Sequence, residues 1–530
     1  MAVTQPDAQL TEPSAHHGRV VLFSPSPWVG SPYFGLPLPL LAVSAEPHSR
    51  GYPVSIVVQD VDDDPEAQVL EACKDAIVFG VSSLTGSMIG EGLKMCAKVR
   101  ELFPNLPIVW GGTHPSIAPE QTAEHPLVDI VVAGQGEATF MDLIEAIETG
   151  RPYDEVAGIY FKRDGKVVST GCRPTVDIDK LPPMPFELLD MERFVLLHSQ
   201  ALETRLSGKR AVTYYSSYGC PFSCSFCSEP MTSNRRWYAK SPERVIDELE
   251  LLRNEYGVEV VVFEDPIYFI DVKRVRRISE LMIERNLGIK WSATSRLETI
   301  KKLDEETWDI LKRSGFLQVF IGIESASPTV LKAVGKKYTA DEIVETARIL
   351  HEHDVILTGS FIQGIPVKTV DRTLEEIGRE DLKLASETML RIYEVSPKAT
   401  IYVVMYTPYP GSAAYELSLQ NGLVPPTDLE RWKHFVHASN QVPWMLPEQE
   451  VFTRTSTIAS KALRGRHRDR ARFRRKKIQG AILFAYSAIT RARYRHGYFR
   501  YPIEQRLMMR LAQKVRASRN PEGQNNGMLI

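Results

Sequence analysis

Cysteine is scarce in this chain: 530 residues hold only six, too few and too unevenly placed for a disulfide framework. Long apolar runs are missing too. No stretch reaches the roughly 18 to 20 uninterrupted apolar residues that span a bilayer. Residues 1–19 are polar and lack the apolar core of a secretory signal, so the cytoplasm is the expected compartment. Gly (33) and Pro (35) are not in excess, which excludes collagenous and low-complexity classes. A surplus of one charge is also absent, with 64 Lys and Arg against 66 Asp and Glu, but the balance hides a split. Residues 451–530 carry 20 Lys and Arg and 3 Asp and Glu, and the acidic surplus sits in the first 450. Such asymmetry marks an interaction tail or an added module. What remains is a soluble globular composition, 43% hydrophobic and 25% charged, long enough for about three to four domains.

Short apolar runs at 20–23, 54–58, 76–81, 107–110 and 129–133 alternate with helical patterns such as 91–102 and 138–148. Five strands alternating with helices predict an α/β fold, a doubly wound, Rossmann-like parallel sheet over residues 18–150, behind a flexible tail at 1–17. Residues 151–205 read as a connector, with a hairpin around Asp164-Gly165 and the segment Leu181-Pro-Pro-Met-Pro. A second alternation has strands near 212–216, 258–263, 289–293, 317–323, 356–362 and 401–406. Its helix starts are well signalled, by Ser241-Pro242-Glu243 and by the capping box Thr339-x-x-Glu342. Six βα units over 206–422 are too few for a closed eight-fold barrel and fit a partial (β/α)6 barrel, whose chemistry belongs at the C-terminal strand ends. Residues 423–530 read as a mainly helical, basic region.

Three of the six cysteines fall within eight residues. Cys220-Pro-Phe-Ser-Cys224-Ser-Phe-Cys227 follows the first barrel strand, where barrel chemistry is expected. Three thiolates can hold three irons of a cubane and leave the fourth iron open to a substrate. The alternative is a zinc site, for which a fourth Cys or His at a suitable spacing is lacking. The spacing C-x3-C-x2-C, with Phe226 before the last cysteine, resembles the signature of the radical S-adenosylmethionine (SAM) superfamily. That resemblance implies a [4Fe–4S] cluster on Cys220, Cys224 and Cys227, with SAM chelating the open iron. Further family-like positions close the later strands: Glu264-Asp265, Ser295-Arg296, Glu324-Ser325, Gly364 and the segment Tyr406-Thr-Pro-Tyr-Pro-Gly411. Carboxylates there can accept from an ammonium or a ribose hydroxyl, and Arg296 can pair with a carboxylate. Glu264, Arg296 and Glu324 each also read as a member of an ordinary ion pair at a barrel mouth.

Two signals sit at the strand edge of the first domain, Ser82-Ser83-Leu84 after the third strand and Gly111-Gly112-Thr-His114 after the fourth. Together with Gly134-Gln-Gly136-Glu137 they resemble the cobalamin-binding domain, in which such turns flank the inserted nucleotide tail. The histidine motif that supplies a cobalt ligand in better known members is replaced by Ser24-Pro-Ser-Pro-Trp-Val-Gly. Cobalamin without a protein histidine on the metal is therefore implied, with His114 a polar contact to the tail. The alternative for this domain is a flavodoxin-like module with no cofactor or with another nucleotide.

The order of cobalamin domain, connector, barrel and helical region resembles the cobalamin-dependent branch of radical SAM enzymes, which includes methyltransferases and the anaerobic magnesium-protoporphyrin monomethyl ester cyclase. The implied reaction is hydrogen abstraction by a 5′-deoxyadenosyl radical from an unactivated carbon of a small-molecule substrate, free or carrier-bound, followed by methyl transfer from methylcobalamin. Cyclisation or oxidative rearrangement without methyl transfer is the alternative. An electron donor of flavodoxin or ferredoxin type is implied as a partner. The basic run 464–477, followed by the apolar stretch 478–489, reads as a helix over the active-site mouth, a peripheral membrane contact or a dock for an acidic carrier. Nucleic acid is not expected, since no groove-reading module accompanies the charge.

Overall fold

The computed structural model describes residues 17–27, 35–201, 209–436, 442–464, 477–504 and 507. The first sheet has seven strands: β1 (Arg19–Ser24), β2 (Val54–Val58), β3 (Ala76–Ser82), β4 (Ile108–Gly111), β5 (Ile130–Val132), β6 (Ile159–Arg163) and β7 (Lys166–Ser169). Their order is β2-β1-β3-β4-β5-β6-β7, with β1 to β5 parallel and β6 and β7 antiparallel. Strand order reverses between β1 and β3, and a crevice at the C-terminal strand ends is the ligand-binding place of such sheets. Near-continuous apolar runs make these strands because both faces are covered by helices; Val20, Val21, Val78 and Phe79 are fully buried.

The hairpin expected around Asp164-Gly165 is present, with both residues at positive φ (51° and 76°), as a tight two-residue turn requires. It is not a free-standing connector feature. β6 pairs with β5, so the hairpin extends the first sheet by two strands.

The second sheet is built from β8 (Ala211–Tyr214), β11 (Val260–Phe263), β12 (Lys290–Ser295), β13 (Phe316–Glu324), β14 (Ile356–Gln363) and β15 (Thr400–Met405), all parallel, in the order β15-β14-β13-β12-β11-β8. A two-stranded bridge, β9 (Ser217–Tyr218) with β10 (Tyr238–Ala239), brackets the cysteine loop. This is the expected six-stranded half-barrel. Alternate side chains such as Val212, Val261, Trp291, Val319, Leu357 and Ile401 pack under the helices in the main core. Both expected helix starts are formed: Ser241 caps the helix Pro242–Tyr256, and Thr339 with Glu342 makes a reciprocal capping box.

After the barrel the chain returns to the first domain. The 3-10 segment Leu429–His434 lies on the helix Ser87–Leu102, and Leu429, Trp432 and Phe435 join the core of that domain. Gly90 lies at this contact, where a Cβ would stand 3.3 Å from the Lys433 side chain. The helix Pro447–Arg464 packs on β15, and Lys477–His496 packs on the helix Leu374–Val395, with Tyr486, Thr490 and Tyr494 buried. Residues 465–476, which hold most of the basic run, lie outside the described residues. No helix among the described residues is long and apolar enough to cross a membrane.

Candidate functional site

At the C-terminal edge of the first sheet a cavity of about 280 Å³ opens between the two sheets. Of the sequence-derived residues, Ser82, Gly111, Gly112 and Gly134 line it. Gly112 has φ 96°, and a Cβ there would stand 2.9 Å from the Ser83 carbonyl oxygen, so the turn accepts no side chain. Ser83 and Leu84 are elsewhere. Ser83 is buried and ties the two signal turns together: its N–H donates to the Gly111 carbonyl at 2.9 Å, and its own carbonyl accepts from His114 N–H at 3.0 Å. Leu84 is half-exposed outside the cavity. His114 does not reach the cavity either. It is fully buried, its Nδ1 pairs with Thr85 Oγ1 at 2.9 Å, and its ring packs on Trp432 at 5.4 Å. Burial pushes its pKa down to about 3, which keeps the ring neutral. Sequence reasoning missed the opposite wall, where Tyr215, Tyr218, Gly219, Glu229, Tyr238 and Pro266 come from the barrel. Glu137, already part of the Gly-rich signature, also lines the cavity at 5% exposure. A concave, glycine-floored and aromatic-walled space fits a flat, amide-bearing group such as the cobalamin tail or corrin edge.

The cysteine loop leaves this wall directly. Gly219 has φ 79°, and a Cβ there would lie 2.1 Å from the Arg236 carbonyl oxygen, so the chain can enter the loop at this point only without a side chain. Cys220, Cys224 and Cys227 are partly buried, while Pro221, Phe222 and Ser223 are exposed. A turn closes between Cys227 N–H and the Cys224 carbonyl at 3.1 Å, and Glu229 N–H points at Cys227 Sγ at 3.4 Å. Burial pushes Cys227 up to about 12 and raises Cys220 as well, so thiolates at these two positions call for a bound positive centre. Among the described residues no three His, Cys, Asp or Glu side chains gather as the ligand set of one ion. A cubane asks for another arrangement, one thiolate at each of three corners. The donor set of this loop fits it.

At the strand ends the expected residues separate into two groups. Glu264, the residue after β11, keeps solvent access although most of its surroundings are protein. Burial, and secondarily Asp265, raise it to about 7. Glu324, at the end of β13, sits at φ 62° beside a register shift in the β13–β14 ladder, with Lys336 Nζ 3.4 Å from its carboxylate. A buried non-glycine residue held in the left-handed region marks stored strain at a strand end. The others are committed within the protein. Arg296 lies over the Phe222 ring at 3.9 Å and pairs with Glu298 at 2.9 Å, beside a second cavity of about 540 Å³. Ser295 Oγ donates to the Arg296 carbonyl at 3.1 Å. Ser325 Oγ donates to the buried Asp381 and accepts from Ser327 N–H. Gly364 (φ 86°) is covered by the C-terminal segment, with Met445 Cε 2.6 Å from where a Cβ would be and Trp444 Nε1 donating to its carbonyl at 2.9 Å.

Comparison with known proteins identifies two domain families along the chain. The family model "Radical SAM superfamily" matches residues 214–378, and "B12 binding domain" matches residues 31–144. An uncharacterized methyltransferase of Pyrococcus horikoshii is 31% identical over 355 residues, 66% of this chain and 71% of that protein. The chain belongs to the radical SAM enzymes that carry a cobalamin-binding domain. The anaerobic magnesium-protoporphyrin IX monomethyl ester cyclase of Rubrivivax gelatinosus is 28% identical over 369 residues, 68% of this chain and 62% of the cyclase. The radical SAM methyltransferase TsrM of Kitasatospora setae has a similar fold, with TM-score 0.64 and 15% identity over 95% of this chain and all of TsrM. As a member of this family the protein is an enzyme whose cofactors are a [4Fe–4S] cluster, SAM and cobalamin.

Proposed function

We propose that this radical SAM enzyme is a methyltransferase that places a methyl group on an unactivated carbon of a small-molecule substrate. The observation that carries the reading is the wall the two sites share: Tyr215, Tyr218 and Gly219 line the first-domain cavity, and Cys220 is the next residue. When bound, the cofactors supply a carbon-centred radical for hydrogen abstraction and a methyl group carried on cobalt. The chain's own part is positioning. Cys220, Cys224 and Cys227 hold the cluster. Glu264 accepts from the ammonium of SAM in the cleft, and Glu324 with Lys336 offers a carboxylate for ribose hydroxyls. Ser82, Gly111, Gly112 and Gly134 let the cobalamin tail approach backbone, and Tyr215, Tyr218 and Tyr238 exclude water on the barrel side. For Ser83, Leu84 and His114 the role is to brace that turn; Ser295, Arg296, Ser325 and Gly364 brace the strand ends.

The same reading takes residues 18–150 with the following hairpin as the cobalamin domain and 206–422 as the radical barrel. It requires a low-potential donor such as a flavodoxin or ferredoxin, in the cytoplasm. It assigns the basic region around 465–476 to a carrier or a membrane surface. Resemblance to the cyclase favours one rival, a cyclisation or oxidation without methyl transfer.

Product analysis separates them. Anaerobically reconstituted protein given hydroxocobalamin, SAM and a strong reductant is expected to form both 5′-deoxyadenosine and S-adenosylhomocysteine. Deoxyadenosine alone would move the assignment to the rival.

A further inference from the structure

Asp265 follows Glu264 at the end of β11, yet the two carboxylates face opposite fates. Glu264 keeps solvent access; Asp265 is fully buried and points at the backbone that leads into the cysteine loop. One carboxylate oxygen accepts from Ser216 N–H at 2.8 Å. The other accepts from Ser216 Oγ at 2.6 Å and Ser217 Oγ at 2.5 Å. Arg274, on the helix Val272–Glu284, grips the same segment from behind, donating to the Ser216 carbonyl at 2.9 Å and its Oγ at 3.3 Å, and to the Lys240 carbonyl at 2.9 Å. From β12, Thr294 Oγ1 donates to the Asp265 carbonyl at 2.6 Å, so the clamp itself is anchored.

The clamped residues have particular neighbours. Tyr215 on one side and Tyr218 and Gly219 on the other line the first-domain cavity, and Pro266, next to Asp265, lines it as well. Cys220 is three residues beyond Ser217. Gly219 packs closely on the Arg236 backbone, where a Cβ would stand 2.1 Å from the carbonyl oxygen. A displacement at Ser216 and Ser217 is therefore passed to the cavity wall and to the first thiol together.

We infer that Asp265 is a positioning residue for both cofactor sites, a carboxylate that fixes the segment joining the cobalamin cavity to the cysteine loop. The inference rests on the cofactor assignment above. Its energetic basis is that charge-assisted hydrogen bonds in a buried setting are short and strong, and that removing the acceptor leaves buried donors unmatched.

The test uses full-length, anaerobically reconstituted protein as wild type, Asp265→Asn, Asp265→Ala and Ser217→Ala. Hydroxocobalamin affinity is read from visible absorbance. Iron retention is read against a chelator, and the reduced cluster by electron paramagnetic resonance. Loss of outer-shell partners of a metal site costs about 10- to 100-fold in affinity, and Asp265→Ala is expected to weaken hydroxocobalamin binding and iron retention together on that scale. Asp265→Asn keeps an acceptor for Ser216 N–H and is expected to fall between, with shifted g-values. Should Asp265→Ala fail to fold, Asp265→Asn and Ser217→Ala carry the test, with both readouts moving in the same direction. A folded Asp265→Ala that binds hydroxocobalamin like wild type overturns the inference, whether or not iron is lost. Wild-type protein that takes up neither iron nor hydroxocobalamin would overturn the functional reading instead.

Discussion

Single residues in the first domain act by what they leave out or keep neutral. Gly111 and Gly112 are adjacent but not equivalent. A Cβ at Gly111 would meet only the Val132 carbonyl oxygen at 3.8 Å, whereas at Gly112 it would meet Ser83 at 2.9 Å in a left-handed conformation. Gly112→Ala should cost about 1 to 3 kcal/mol and hydroxocobalamin affinity, while Gly111→Ala should cost under about 1 kcal/mol; denaturant titration of the pair checks this. His114 is held neutral by burial, with its pKa pushed down to about 3. The unfolded chain protonates this histidine below its ordinary 6.5 and the folded chain does not, so stability falls as pH drops from 6.5 towards 3, by at most about 1.4 kcal/mol per pH unit. Thermal melts at pH 7.5 and 5.0 should therefore show wild type losing more than His114→Gln. Equal losses would contradict the buried, neutral assignment. The sequence marks these turns by composition but does not separate contact from support. Ser83, Leu84 and His114 sit in the motif yet lie outside the cavity lining: Ser83 and His114 are spent on hydrogen bonds within and between the two turns, and Leu84 is half-exposed.

Elements were legible where periodicity acts locally. All six barrel strands and the parallel strands β1 to β5 follow from apolar runs and caps, and the cysteine spacing placed the loop after β8. What escaped reading depends on tertiary pairing. Nothing in the hairpin β6–β7 says that it continues the first sheet, since a hairpin reports only its own partner. Likewise, Trp432 and Phe435 look like ordinary apolar residues after the barrel, and only the fold shows them strapped to the helix Ser87–Leu102. Trp432 is 2% exposed, and its Nε1 donates to Gln121. Trp432→Ala should cost about 3 to 5 kcal/mol, read by denaturant unfolding, and should loosen the first domain first in hydrogen exchange. In the cysteine loop, Gly219→Ala has to move the Arg236 backbone, and is expected to lower iron per chain after reconstitution while leaving the distant helix Lys477–His496 protected from exchange.

Across the whole molecule, the parallel strands of the two sheets meet with their C-terminal ends on one region, so that a cavity floored by the first sheet and walled by the second borders the cysteine loop. The convergence explains why residues distant in sequence, Gly112, Tyr218 and Pro266, share one space. Partners from distant parts of the chain, Phe222 on Arg296 and Asp381 on Ser325, are likewise invisible to a motif. The central claim is that Cys220, Cys224 and Cys227 carry a cluster with an open iron that SAM occupies. Electron paramagnetic resonance of the reconstituted, reduced protein with and without SAM tests it most directly. A [4Fe–4S]⁺ signal whose g-values move on adding SAM, and which is lost in Cys224→Ala, is the predicted result. A signal indifferent to SAM, or zinc retained in place of iron, would contradict it.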